Sequence, residues 1–109
     1  MEETYNITIK QLQQYIKMKN SAFDKKYDSI LKFMEECGEL ARAILYNLPH
    51  AEGDKIEDTI DEEFCDVLYC LCTVANQYDV DIEKWFSVKQ KEWDKKHNTN
   101  YFNDFFEIN

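Results

Sequence analysis

The sequence predicts an all-α fold, a four-helix-bundle-like domain completed by homo-oligomerisation. Only two Gly and one Pro occur among 109 residues, which leaves little turn material for hairpins. β-branched runs with two-residue alternation are missing, so strands have no signature here. Apolar residues instead recur at three- and four-residue steps over long stretches, the period of an amphipathic helix. The oligomer follows from size: a short helical chain buries a small share of its surface, and a second copy can cover the apolar stripes left outside.

The first helix runs from a cap at Thr8 to about Lys19, with Ile9, Leu12 and Ile16 on one stripe and Tyr15 beside them. A turn over Asn20 to Phe23 ends it. The second helix spans about Lys25 to Leu48, because Ile30, Phe33, Met34, Cys37, Leu40, Ala41, Ile44 and Leu48 follow the helical period until Pro49. Pro49 to about Lys55, with Gly53, reads as a loop between antiparallel neighbours. A third helix carries Phe64, Cys65, Leu68, Leu71, Cys72 and Ala75 and ends near Tyr78. Asp81 caps a fourth, from about Ile82 to His97, in which Trp85, Phe86, Val88 and Trp93 stand among lysines. The tail from Asn98 to Asn109 holds Tyr101, Phe102, Phe105 and Phe106 and is too aromatic to hang free, so it is expected to pack on the domain or a partner.

The length fits a single domain over 1–109, with a helical core of about 8–97, since a domain takes about 100–150 residues. With 44% hydrophobic, 15% aromatic and 32% charged residues, the chain has material for a core but reads as soluble rather than membrane-bound. No run approaches the roughly 18 apolar residues of a membrane span, and the first ten residues lack a signal core. Four cysteines, Cys37, Cys65, Cys70 and Cys72, lie inside helical patterns without a CxxC pair. They are expected to pack as small apolar residues in a reducing cytoplasm. A net charge of −9 disfavours nucleic acid as a partner, because that binding relies on Lys and Arg displacing counterions.

The acidic excess is concentrated. Between Glu52 and Asp66 the carboxylates face a single base, Lys55, and such a segment attracts cations. Glu36 and Glu39 stand three residues apart on the second helix, so they share a face, one turned away from Cys37 and Ile44. Glu63 and Asp66 repeat the spacing on the third helix, opposite Leu68 and beside the small residues Thr59, Cys70 and Thr73. Lys32 joins the first pair, and Glu35 points further round toward Arg42. On antiparallel neighbours the two pairs converge. Four converging carboxylates repel one another unless a cation sits between them, and oxygen-only ligation suits Mg²⁺ or Mn²⁺ over Zn²⁺. Any one such pair is an ordinary solvated helix face; two pairs on consecutive helices make a metal site the better account. A di-iron bundle would need a Glu-x-x-His pair on each of two helices, and neither His50 nor His97 is so placed.

With Glu35-Glu36-x-x-Glu39 followed by Glu63-x-x-Asp66-Val67-Leu68-Tyr69, the chain resembles the MazG-like nucleoside triphosphate pyrophosphohydrolases. The resemblance extends through Gly38 to Ala43, Asp61 to Glu63, Ala75-Asn76 and Asp81 to Glu83, and so covers about Lys25 to Lys96. It implies an all-α bundle working as a homodimer or homotetramer, and cleavage of a nucleoside triphosphate between its α- and β-phosphates with Mg²⁺ as cofactor. It also implies Glu36, Glu39, Glu63 and Asp66 as metal ligands, and Glu35 as a further catalytic acid that orients water. Family members often carry a K-x-x-x-N-x-x-R-like run on the last helix; Lys89 and Lys96 match its basic places, while Trp93 stands where Asn is common. Lys32, Arg42, Lys89 and Lys96 are the candidate substrate-binding cations. Trp85, Trp93 and Tyr69 are expected in the core, with base stacking as their alternative role.

The expected function is therefore cytoplasmic house-cleaning of nucleotide pools. Phosphoribosyl-ATP pyrophosphohydrolysis is the enzymatic alternative, and a helical nucleotide-binding or interaction module without turnover is the other.

Overall fold

In a computed structural model the described residues, 4–21 and 29–107, form five helices. They are α1 (Ile9–Ser21), α2 (Ser29–Leu45), α3 (Ile60–Gln77), α4 (Ile82–His97) and α5 (Tyr101–Glu107). The expected start of the second helix at Lys25, and the end of the turn at Phe23, lie outside the described residues. The fifth helix is a departure from the four expected. It forms because Asp94 of α4 accepts the Phe102 amide at 2.9 Å and the Thr99 hydroxyl at 2.6 Å, giving the first turn of the aromatic tail a fixed acceptor.

The starts of α1, α3 and α4 are written in the sequence. At α1 Thr8 and Gln11 form a reciprocal box: Thr8 Oγ1 accepts the Gln11 amide at 3.1 Å, and Gln11 Oε1 accepts the Thr8 amide at 3.0 Å. Thr59 and Asp81 accept the amides of Glu62 and Lys84 at the heads of α3 and α4. The ends of α2, α3 and α4 share another device. Asn47, Asp79 and Asn98 each turn left-handed, with φ of 53–54°. The next amide then reaches back five residues: Leu48 to Ala43, Val80 to Ala75 and Thr99 to Asp94, each at 3.0 Å. Asn and Asp tolerate this conformation through short polar side chains, which is how a chain with two glycines stops three helices.

α2 and α3 make the most extensive contact, α1 lies on α3, and α4 packs chiefly on α5 and α1. The pair α2–α3 is antiparallel: Gln77, at the end of α3, donates to Ser29, at the start of α2, at 2.6 Å. The connection between them, from Tyr46 to Thr59, is longer than the expected Pro49–Lys55 loop. It contains a Glu52–Lys55 turn at Gly53 and is tied to α3 by His50 Nδ1 and Asp61 Oδ1 at 3.0 Å. Gln13 fixes α1 to the α3–α4 corner. Its amide donates to Asn76 Oδ1 and Val80 O and accepts the Ile82 amide, at 3.1, 2.8 and 3.0 Å.

Among the described residues, the buried apolar ones are Ile16, Ala43 and Cys72. Ile16 and Cys72 come from the expected stripes of the first and third helices, but the larger residues of the α2 and α3 stripes stay outside this core. Ile30, Met34, Ile44, Phe64, Leu68 and Leu71 are between 42% and 62% exposed, because α2 and α3 meet through the faces that carry Glu36 and Glu63. Trp85 and Trp93, expected in the core, are likewise 54% and 46% exposed. Of the cysteines only Cys72 is buried; Cys65 is exposed, and all four are free thiols. The molecule exposes 9411 Å², whereas a compact monomer of 13.1 kDa exposes about 6,400 Å². Among the described residues no helix is long and apolar enough to cross a membrane.

Candidate metal centre

Glu36 and Glu39 sit one turn apart on α2, and Glu62, Glu63 and Asp66 occupy the first two turns of α3. Antiparallel packing brings these segments together. Carboxylate oxygens of Glu36, Glu39 and Glu63 lie within 4.8 Å of one another, and those of Glu62, Glu63 and Asp66 meet the same limit. Glu63 belongs to both triads. Oxygens around one Mg²⁺ at about 2.0–2.1 Å stand up to about 4.2 Å apart, so a small rotation of the side chains would close either triad on an ion.

The electrostatics of the cluster follow from this crowding. Burial first, then the charges of Glu39, Asp66, Glu36 and Glu62, raises the Glu63 carboxyl above its ordinary range. Burial, with Glu36 and Glu62, also raises Asp66, while Lys32 opposes the rise. Glu36 is 7% exposed, and the Lys32 ammonium meets its Oε1 at 3.0 Å. Its hydrogen bond to Glu36 and that carboxylate's charge raise the Lys32 pKa well above the usual lysine value. The other oxygen of Glu36, Oε2, and Oε2 of Glu63 are both shielded from solvent without a hydrogen-bond partner. Two orphaned carboxylate oxygens cost free energy that a hard cation would recover, so the residues present fit a divalent ion with oxygen ligands.

Beside the triads lies a cavity of about 230 Å³ lined by Glu39, Arg42, Ala43, Tyr46, Leu48 and Glu63. It offers one guanidinium and one aromatic ring next to two of the clustered acids. Arg42 is thus placed at the site. Glu35 is not in either triad; it is exposed and holds Lys32 at 3.4 Å. Lys89 and Lys96 are exposed on α4, the helix that packs on α5 and α1. Trp93 stacks on His97 with centroids 4.0 Å apart and lies 6.3 Å from Tyr101, closing the α4–α5 junction. Tyr69 belongs to the α1–α3 joint, donating its hydroxyl to Asn20 Oδ1 at 2.8 Å.

Sequence reasoning missed Glu62 and Tyr46. Glu62 was recoverable, because it precedes Asp66 by four residues and so shares its side of α3. Tyr46 was not, since it lies past the last turn of α2 and reaches the cavity only through the path of the α2–α3 connection.

Comparisons with known proteins agree with this arrangement. The model of a family described as the MazG nucleotide pyrophosphohydrolase domain matches residues 25–99. Two crystal structures of iMazG from Vibrio DAT 722 are similar to the chain. The Ctag form has a TM-score of 0.64 and 31% identity over 77% of this chain and 94% of that one. The Ntag form has a TM-score of 0.68 and 28% identity over 83% and 97%. No curated protein matches the chain.

Proposed function

This chain belongs to the MazG nucleotide pyrophosphohydrolase domain family, and from that membership we propose that it is a magnesium-dependent nucleoside triphosphate pyrophosphohydrolase. The reaction adds water to a (d)NTP and breaks the bond between the α-phosphorus and the bridging oxygen, releasing (d)NMP and pyrophosphate. The observation that carries this reading is the pair of carboxylate triads joined at Glu63, with two buried oxygens lacking partners.

Glu36, Glu39, Glu63 and Asp66 are the proposed ligands, with Glu62 close enough to share in the second triad. The ion, Mg²⁺ or Mn²⁺ in its place, supplies positive charge for the phosphates and acidity for water. Glu35, outside both triads and paired with Lys32 at the solvent side, is the proposed acid that orients or deprotonates that water. Arg42, in the wall of the cavity, offers a planar fork to phosphate oxygens, and Lys32 stands at the Glu36 side of the cluster. In a protein of net charge −9 these local cations are what let a polyphosphate approach.

The domain is proposed to span 1–109 and to work as a homodimer or homotetramer in the cytoplasm, house-cleaning nucleotide pools. Support for assembly comes from the exposed α2 and α3 stripes, which a second copy would cover. Lys89 and Lys96 lie on a helix that packs away from α2 and α3, so their proposed contact with substrate is made across such an interface.

Pyrophosphate release from a panel of dNTPs and phosphoribosyl-ATP with Mg²⁺, for the parent, Glu39→Gln and Asp66→Asn, tests the reading. The parent should turn over at least one dNTP, and each variant should lose about a hundredfold or more in kcat/KM. Equal rates in parent and variants would reject the site, and turnover of phosphoribosyl-ATP alone would reject the substrate class.

A further inference from the structure

Among the described residues Lys32 is the cation paired with the acidic cluster, and the pairing is unusual. A lysine four residues ahead of its glutamate is the weaker orientation for stabilising a helix. Glu36 is also the most buried member of the cluster, at 7% exposed, while the Lys32 side chain is 43% exposed. The ammonium therefore reaches inward from a solvated stem to a shielded acceptor. It holds Glu36 Oε1 at 3.0 Å, and Oε2 of the same carboxylate is shielded from solvent without a hydrogen-bond partner. Its second partner, Glu35 at 3.4 Å, is 59% exposed, so the lysine has somewhere to go.

A divalent ion taking Glu36 as ligand draws on the charge that now holds the ammonium, and two cations a few ångströms apart repel each other. We propose that Lys32 is an exchangeable counter-ion of the metal centre: it neutralises Glu36 when no divalent ion is bound, is displaced toward Glu35 and solvent when one binds, and so lowers the affinity for that ion. This rests on the reading of the cluster as a metal centre. It gives Lys32 a part before substrate arrives, distinct from contact with phosphate. The same exchange links the two ligands, because the displaced ammonium is freed for the phosphates that follow the ion.

The test is calorimetric titration of the full chain with MnCl₂, without nucleotide, for the parent, Lys32→Met and Glu39→Gln, together with melting curves in EDTA and in saturating Mn²⁺. Methionine keeps the apolar stem and removes the charge. Lys32→Met should bind Mn²⁺ about two- to fivefold more tightly, the range expected for breaking a partly exposed ion pair. It should also melt below the parent in EDTA, with the gap closing in Mn²⁺. Equal or weaker Mn²⁺ affinity, or an unchanged melting point in EDTA, would overturn the counter-ion role while Glu39-dependent binding by the parent leaves the metal centre standing. A parent that binds no Mn²⁺ would remove the metal centre itself, and the counter-ion with it.

Discussion

Glu36 of α2 and Glu63 of α3 face one another across the helix pair, each with its Oε2 shielded from solvent and unpaired. Such an arrangement is destabilising by itself and becomes favourable only when a cation draws on both oxygens. Glu63→Gln should therefore leave the melting point in EDTA equal to or above that of the parent. It should also abolish the stabilisation that Mn²⁺ gives the parent, about 2.7 kcal/mol at a hundredfold excess over Kd. A variant that Mn²⁺ still stabilises fully would show that Glu63 is not the shared ligand. Differential scanning fluorimetry with and without the ion reads both effects.

The raised carboxyls of Glu63 and Asp66 set a pH dependence. In the unfolded chain these acids lose their protons near the ordinary values of 4.5 and 3.8; in the folded chain they lose them later. The folded state thus binds more protons in that window, and its stability falls as pH rises from there through the raised values. In EDTA the melting point of the parent, relative to Glu63→Gln, should decline across this interval and then level off. A relative melting point that rises with pH would contradict the cause assigned.

Gln13 is buried and joins α1 to the corner between α3 and α4 through three side-chain hydrogen bonds, while Asn76 donates to its carbonyl at 3.0 Å. Gln13→Ala leaves the Val80 carbonyl and the Ile82 amide without partners, and urea unfolding should show a loss of about 2–3 kcal/mol. Metal affinity should change little, because the acids lie where α3 meets α2, whereas Gln13 lies where α3 meets α1.

Leu71 is 42% exposed on the outward stripe of α3. If a second copy covers that stripe, Leu71→Asp should shift the sedimenting species toward the mass of one chain, 13.1 kDa. Sedimentation velocity checks this, and a parent that already sediments as one chain would remove the assembly from the proposal.

Most of the local structure was legible in order along the chain. The caps at Thr8 and Asp81 are side chains reading their own backbone a few residues away, so no distant contact is needed to place them. The limits of α4 at Ile82 and His97 fell where expected. The fifth helix escaped because its anchor, Asp94, is indistinguishable in sequence from a solvated acid on a basic helix. Glu62 escaped because an acid in the first turn of a helix is explained well enough by the helix dipole.

What the sequence determined by itself was the all-α class, the succession of its first four helices and the pairing of acids at three-residue spacing, since helical period and capping are local. What the tertiary structure decided was which face turned inward. Hydrophobic periodicity pointed to the stripe of Ile30, Met34 and Ile44, yet in the single chain the acid-bearing faces of α2 and α3 meet and the stripes look outward. Burial depends on everything that approaches a face, including an ion or a second copy, and a periodicity within one chain does not specify either.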